Sequence, residues 1–190
     1  MPLNLEKQLT LYGAYHRHHV NINLHRCCVP LMLVTSFILA SNIGPFFELP
    51  QWLSIPHLEP NMGTFAAFTW GALYILLEPV AGTTLAALCI ASAAFGNHLL
   101  MEYPAATNRV ALSVHIISWI LQFVGHGKYR GRIPVLENFF QSLFFAPLFV
   151  WLELLFKLGY RPELQARVRK TIEIEISKMS KKEPKDGKIQ

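Results

Sequence analysis

Charge is scarce in this sequence, and so is cysteine. Asp, Glu, Lys and Arg make up 15% of the 190 residues, against about 25% in an ordinary soluble domain. The three cysteines, Cys27, Cys28 and Cys89, are odd in number and lie in or beside apolar runs, which excludes a disulfide framework. No Gly-rich dinucleotide fingerprint is present, so nothing points to a nicotinamide or flavin enzyme. Basic and aromatic residues do not interleave, which argues against nucleic acid as a partner. The stretch from Leu3 to His25 is polar and lacks the apolar core of a secretory signal peptide; insertion into a membrane is expected to use internal segments. The loop 41–62 contains neither Lys nor Arg.

What the chain has is apolar runs: 52% of its residues are hydrophobic. Such runs extend from Cys27 to Ile43, Gly63 to Leu77, Val80 to Leu100, Val110 to Val124 and Asn138 to Phe156. They approach the roughly 20 residues that a helix needs to span a bilayer. Pro30 falls in the first turn of the first run, where its missing N–H costs little. Glu78-Pro79, Tyr103-Pro104 and Gly125-His126-Gly127 are expected to end the next three. The third run is rich in Ala, Gly and Ser, which suits close helix packing in lipid. Leu5, Leu9, Tyr12 and Tyr15 recur at helical spacing and predict a short amphipathic helix before the first run.

Lys and Arg give the orientation. They occur at Lys7, Arg17 and Arg26, at Arg109 alone in 102–109, at Lys128, Arg130 and Arg132, and ten of the seventeen lie from Lys157 onward. The N-terminus, the loop 125–137 and the tail are therefore all expected on the cytosolic side. Five crossings would break that parity, and Pro147 interrupts the fifth run. The expected fold is an all-α, polytopic membrane helical bundle of about four spans, with a re-entrant or interfacial fifth apolar segment. Residues 1–160 form the membrane-embedded domain and 161–190 a basic cytosolic tail. Val168, Ile172, Ile176 and Met179 share a face in that tail, which predicts an amphipathic helix lying on the cytosolic leaflet.

The eight histidines are the chemical signal. His16, His18, His19 and His25 fall within ten residues, and neutral imidazole is the commonest metal ligand. On one unbroken helix His16 and His25 would stand about 13.5 Å apart on opposite faces. A turn at Val20-Asn21-Ile22-Asn23 would bring them together. His126 follows the fourth run onto the same face, with Gly125 and Gly127 free to aim it, so His16, His25 and His126 can converge. His115 lies inside the fourth run, where an ionisable group is a functional candidate. About 16 Å of helix separates it from His126, and a hydrogen bond between helices is its other reading. His18 and His19 are reserves; His57 and His98 fall on the opposite side. His16-Arg17-His18-His19 suggests a di-iron His box, but the further boxes such an enzyme needs are missing. A non-enzymatic membrane scaffold or transporter is the alternative from another class, with only Glu78 and Glu153 as charges near the spans.

Two strings carry a family resemblance. The first is Tyr15-His16, Asn21, His25 and Pro30. The second is Trp119, Gln122-Phe123-Val124-Gly125-His126-Gly127, Arg132, Pro134, Asn138, Gln141-Ser142 and Ala146-Pro147. Together, over most of residues 5–160, the chain resembles the 2-hydroxy fatty acid dioxygenases, endoplasmic-reticulum membrane proteins first known from fungi. The resemblance implies an Fe(II)-dependent enzyme that shortens a long-chain 2-hydroxy fatty acid by one carbon in the breakdown of phytosphingosine-derived acids. It implies His16, His25 and His126 as iron ligands and catalytic residues, with His115 as a further ligand. Three histidines would leave room at the metal for a chelating hydroxy acid and O₂. Lys128, Arg130 and Arg132 become candidates to attract the carboxylate, and Gln122 and Asn138 to orient a ligand. The reaction R–CH(OH)–COOH + O₂ → R–COOH + CO₂ + H₂O balances with no added reductant.

Overall fold

A computed structural model describes residues 4–15, 18–129 and 136–182, with the side chains of 14, 15, 126, 128, 129, 136–143, 176 and 178–182 outside the description. Seven α-helices account for most of these residues: α1 Leu5–Tyr15, α2 His19–Ser41, α3 Met62–Leu77, α4 Pro79–Glu102, α5 Pro104–Tyr129, α6 Leu136–Lys157 and α7 Pro162–Lys182. No β-strand occurs among the described residues; the single pairing outside the helices is a bridge between Pro45 and Asn61.

The helix boundaries follow local chemistry. The Nδ1 of His18 accepts the Val20 N–H and caps α2. The Asn61 side chain accepts the Thr64 N–H and caps α3. Pro79 and Pro104 open α4 and α5 at first-turn positions. Three expectations are corrected here. Helix α2 starts at His19, so Val20 to Asn23 are helical and the break in the chain falls before them, between α1 and α2. Pro30 then lies deep inside α2 instead of in its first turn. Gly125-His126-Gly127 does not end α5, which continues to Tyr129.

Helices α3 and α4 form a tight hairpin, and α2 packs along α5. Small residues allow the first contact: a Cβ on Gly82 would lie 2.1 Å from the Tyr74 carbonyl oxygen, and one on Gly71 3.0 Å from the Ala86 Cβ. The interior is lined by Phe37, Ala67, Tyr74, Leu85, Cys89 and Ala93. The outward faces are apolar as well: Leu31, Phe65, Leu76, Leu88, Phe95, Ile117 and Phe123 are all exposed. A helix that is apolar all round belongs in the core of a large protein or in a membrane. Helices α2 and α4 are long and apolar enough to cross a bilayer, and α3 is apolar but shorter.

The remaining three helices gather at one end of this bundle. From α6, Glu153 pairs with Arg26 of α2 through two hydrogen bonds of 2.6 and 3.3 Å. Trp151 donates to Thr84 of α4 at 3.1 Å, and Phe144 stacks on Trp70 of α3 with centroids 4.9 Å apart. Arg26 and Thr84 lie toward the same end and Trp70 at the middle of α3, so α6 touches three helices between that end and mid-depth. Helix α7 returns over α1, with Leu164 and Val168 in the same core cluster as Leu9 and Phe149. Ile172 packs so closely that a Cβ on Gly13 would lie 2.3 Å from its Cδ1. The face of α7 expected on lipid therefore meets α1 through Val168 and Ile172. At the α6–α7 junction, Tyr160 donates to Glu78 at 2.8 Å and Arg161 pairs with the same carboxylate. Glu78 is 2% exposed, which fastens the α3–α4 turn to the tail.

Removing a buried acceptor leaves its donors to be satisfied elsewhere, which costs about 1.5–3 kcal/mol where a charged group is involved. Glu78→Leu should lower the thermal unfolding midpoint in detergent, followed by circular dichroism. Arg161→Leu, which leaves the same carboxylate buried without its cation, should lower it more. Wild-type midpoints in both variants would show that the pair does not hold the junction.

Candidate metal centre

Helices α2 and α5 run antiparallel, and three side-chain contacts fix their register. Asn42 and Asn108 exchange two amide hydrogen bonds of 2.8 and 2.9 Å. Thr35 Oγ1 meets His115 Nδ1 at 2.9 Å. Nearest the histidine-rich end, Gly125 faces Asn21: a Cβ at Gly125 would lie 3.1 Å from Asn21 Oδ1 and 3.0 Å from Leu24 Cδ1. Gly125 thus permits close approach within a helix, which differs from the turn-forming freedom expected of it.

His25 is 5% exposed, one turn beyond Asn21 on α2. Its Nδ1 lies 2.9 Å from the Asn21 carbonyl oxygen. A carbonyl only accepts, so Nδ1 carries the proton and the neutral ring has its lone pair at Nε2. An N–H bonded to a backbone carbonyl is the usual way a protein orients a metal-binding imidazole. Tyr12 of α1 stands edge-on to this ring at 6.3 Å and against Phe149 at 5.1 Å. Burial, reinforced by Glu153, raises the Tyr12 phenol well above its ordinary pKa and keeps it neutral.

Two carboxamides complete the described part of the site. Asn21 is fully buried, and neither Oδ1 nor Nδ2 has a hydrogen-bond partner; Gln122, 6% exposed, leaves Oε1 unpartnered. Buried amide atoms nearly always find partners. A small polar or ionic occupant between α2 and α5 would supply them, so the donor set at this end suits a metal and a polar ligand. Asn21 was expected in a turn and is instead a buried helical residue beside the site. The available signal was its spacing of four from His25, which puts both on one helix face.

The other candidates fall as follows. His16, Arg130 and Arg132 lie outside the described residues. His126 and Lys128 are on the last turns of α5, and Asn138 is on the first turn of α6, with their side chains outside the description. The backbone of His126 is adjacent to Gly125, and so to Asn21. Among the described residues no group of three His, Cys, Asp or Glu side chains could hold a metal. His18 and His19 are exposed at the start of α2. His57 and His98 face each other at 4.7 Å at the opposite end of the bundle.

His115 makes the hydrogen bond between helices that is the other of its two readings. Trp119 Nε1 donates to its Nε2 at 3.0 Å. Its Nδ1–H therefore donates to Thr35 Oγ1, whose own proton goes to the Leu31 carbonyl at 2.7 Å. Both ring nitrogens are engaged. Helix α5 runs unbroken from His115 to His126, a rise of about 16 Å. His115 joins α2 to α5 and does not share an ion with His126.

The described residues form an all-helical fold with two helices long and apolar enough to cross a membrane. A family model described as "2-hydroxy-palmitic acid dioxygenase Mpo1-like" matches residues 3–158, and the chain belongs to that Mpo1-like family. It is similar to the 2-hydroxy-palmitic acid dioxygenase MPO1 of Saccharomyces cerevisiae, 32% identical over 173 residues that cover 90% of this chain and 91% of the yeast protein. No solved structure matches.

A coupled Thr35–His115–Trp119 chain makes a measurable statement. His115→Leu and Thr35→Val should each lower the thermal midpoint. The double variant should lose less than the sum, with a coupling of about 0.5–3 kcal/mol. Iron per chain, measured by elemental analysis, should be unchanged in both. Loss of iron in His115→Leu alone would restore His115 to the ligand set.

Proposed function

We propose that this chain is an Fe(II)-dependent dioxygenase that converts a long-chain 2-hydroxy fatty acid and O₂ to the acid one carbon shorter, CO₂ and water. The observation that carries the reading is the buried α2–α5 contact. There a correctly tautomeric His25 stands beside two carboxamides without protein partners, in a chain of the Mpo1-like family.

His16, His25 and His126 would hold the iron. Bound Fe(II) supplies the one-electron chemistry through which O₂ reacts with a closed-shell acid. The protein's part is binding and orientation. The Asn21 carbonyl holds the His25 ring and strengthens it as a ligand. The Asn21 carboxamide offers one donor and one acceptor, which complement the carboxylate and hydroxyl of a 2-hydroxy acid, and Gln122 Oε1 offers a second acceptor. Lys128, Arg130 and Arg132 draw the carboxylate toward this end, and Asn138 supports the site from the start of α6. The acyl chain runs among the apolar helices.

The chain spans the endoplasmic-reticulum membrane with α2, α3, α4 and α5, and both termini are cytosolic. Two independent arguments agree on this parity. Basic residues cluster at the N-terminus, the 125–137 loop and the tail. Glu78 at the α3–α4 turn pairs with Arg161 of the tail, so turn and tail share a face. Helix α6 then lies across the cytosolic ends of the bundle without crossing.

The test is an assay of purified protein with 2-hydroxypalmitate under air, with and without Fe(II). One shorter acid and one CO₂ per O₂ consumed are expected, with no reductant added. His16→Ala, His25→Ala and His126→Ala should abolish turnover and iron binding. Asn21→Leu should keep its iron and fold while turnover falls about 10–100-fold, as for other groups that orient a metal site. Well-folded, iron-loaded protein that forms no product would overturn the enzymatic reading in favour of a membrane scaffold or transporter.

A further inference from the structure

The loop between α2 and α3 is not used by the proposed chemistry, and its composition is unusual for a connection between helices. Residues 41–62 hold no Lys or Arg. Ile43, Phe46, Phe47, Trp52, Leu53 and Ile55 are all at least half exposed, Trp52 at 83%. An apolar patch of this kind on a connection usually marks a surface that meets something other than water.

The loop is also held in one arrangement. The Phe46 N–H donates to the Pro60 carbonyl at 3.0 Å, closing the loop at its base. Residues 51–53 form a 3₁₀ turn. Buried Asn97 of α4 donates to the His57 carbonyl at 2.9 Å and holds His57 at a positive φ of 63°. Asn97 also accepts from Asn61 at 3.1 Å, so the α3 cap and the loop are fixed together. Conformational entropy is thus already lost before any surface is met, which favours binding by a preformed face.

Its position identifies the occupant. Phe46 and Phe47 lie against Phe65 with centroids 5.8 and 6.4 Å away. Phe65 is in the first turn of α3 and is exposed on the outer face of the bundle. The two rings are therefore continuous with the apolar outer surface of α3 at its first turn. Aromatic side chains at that depth are those that seat at the boundary between lipid head groups and acyl chains. The only charges in the loop are Glu48 and Glu59, so attraction to anionic head groups plays no part.

We infer that the 43–55 loop is a preformed membrane-interface anchor, seated at the head-group–acyl boundary of the leaflet opposite the histidine centre, with Trp52 as its deepest aromatic contact with that leaflet. The inference rests on the membrane-spanning reading given above. The loop fixes the depth of the bundle from the far side, and α6 with its charged partners fixes it from the near side.

Full-length protein is reconstituted into phosphatidylcholine vesicles brominated high on the acyl chain or at mid-bilayer, and the emission of Trp52 is taken as wild type minus Trp52→Phe. A side chain so exposed should be replaceable by Phe without loss of fold. The Trp52 component should lose most of its intensity with the shallow bromines, less with the deep ones, and none with aqueous iodide. Quenching by iodide but not bromine would place the loop in water and overturn the inference. Insensitivity to both, lifted when the protein is diluted in lipid, would assign the face to a second copy of the chain and also overturn it. In Trp52→Phe, the other tryptophans report separately. Their quenching by bromines shows insertion of the bundle whatever the loop does, and its absence would remove the spanning reading itself.

Discussion

Thr35 and His115 meet in the middle of two apolar helices, and the register they set governs what happens at both ends. Burying an imidazole and a hydroxyl in such surroundings is unfavourable unless both are satisfied. Here Trp119, His115, Thr35 and the Leu31 carbonyl form a chain with every proton assigned. A slip of α5 by one residue along α2 would break the His115–Thr35 bond, which is where this chain crosses from one helix to the other. The Asn42–Asn108 pair repeats the constraint near the far end. With α2 and α5 pinned twice, Gly125 is brought against Asn21 and the last turns of α5 arrive beside His25. The histidine that first looks like a ligand is thus the residue that fixes where the proposed ligands stand.

The second constraint is ionic. Glu78 and Glu153, the acidic groups nearest the apolar runs, are each engaged with an arginine from a distant segment. Only the Glu78 carboxylate among these groups is buried, and ion pairs of this kind are weak evidence for stability. In this chain the pairs decide which surface α6 covers and where α7 begins. They also supply parity: a carboxylate at the α3–α4 turn and an arginine in the tail cannot meet unless both are on one face of the bundle.

The sequence made the helices legible and left their ends less so. Apolar runs, Glu78-Pro79 and Tyr103-Pro104 located α3, α4 and the start of α5, because proline sets a first turn whatever surrounds it. Pro30 misled for a related reason: a proline is tolerated deep in a helix when the flanking residues are packed, and packing is not visible locally. Val20 to Asn23 read as a turn on the preference of Asn for turns, yet Asn21 is fully buried in α2, an instance of tertiary contact overriding local propensity. Gly125 and Gly127 read as a terminus, whereas Gly125 is needed for the approach of α2. The apolar face of α7 was visible, but a periodic face does not say whether lipid or protein covers it, and α1 meets it here at Val168 and Ile172.

The clustering of histidines pointed to one end of the molecule, and which of them belong together depended on facts that spacing does not contain. His25 and His115 are both imidazoles on apolar helices, and their difference lies in what each Nδ1 and Nε2 meets. His25 gives its Nδ1 proton to the carbonyl one turn back in its own helix, an interaction that orients the ring without joining it to another element. His115 gives its Nδ1 proton across to α2 and accepts at Nε2 from Trp119 of its own helix, so both nitrogens are engaged by protein groups. The unpartnered amides follow the same division: Asn21 and Gln122 stand at the level of His25, and neither stands at the level of His115. The histidine that joins the helices and the one proposed as a ligand therefore sit on the same helix pair, about two to three turns apart. The fully satisfied one holds in place the end where polar atoms have been left for something other than protein.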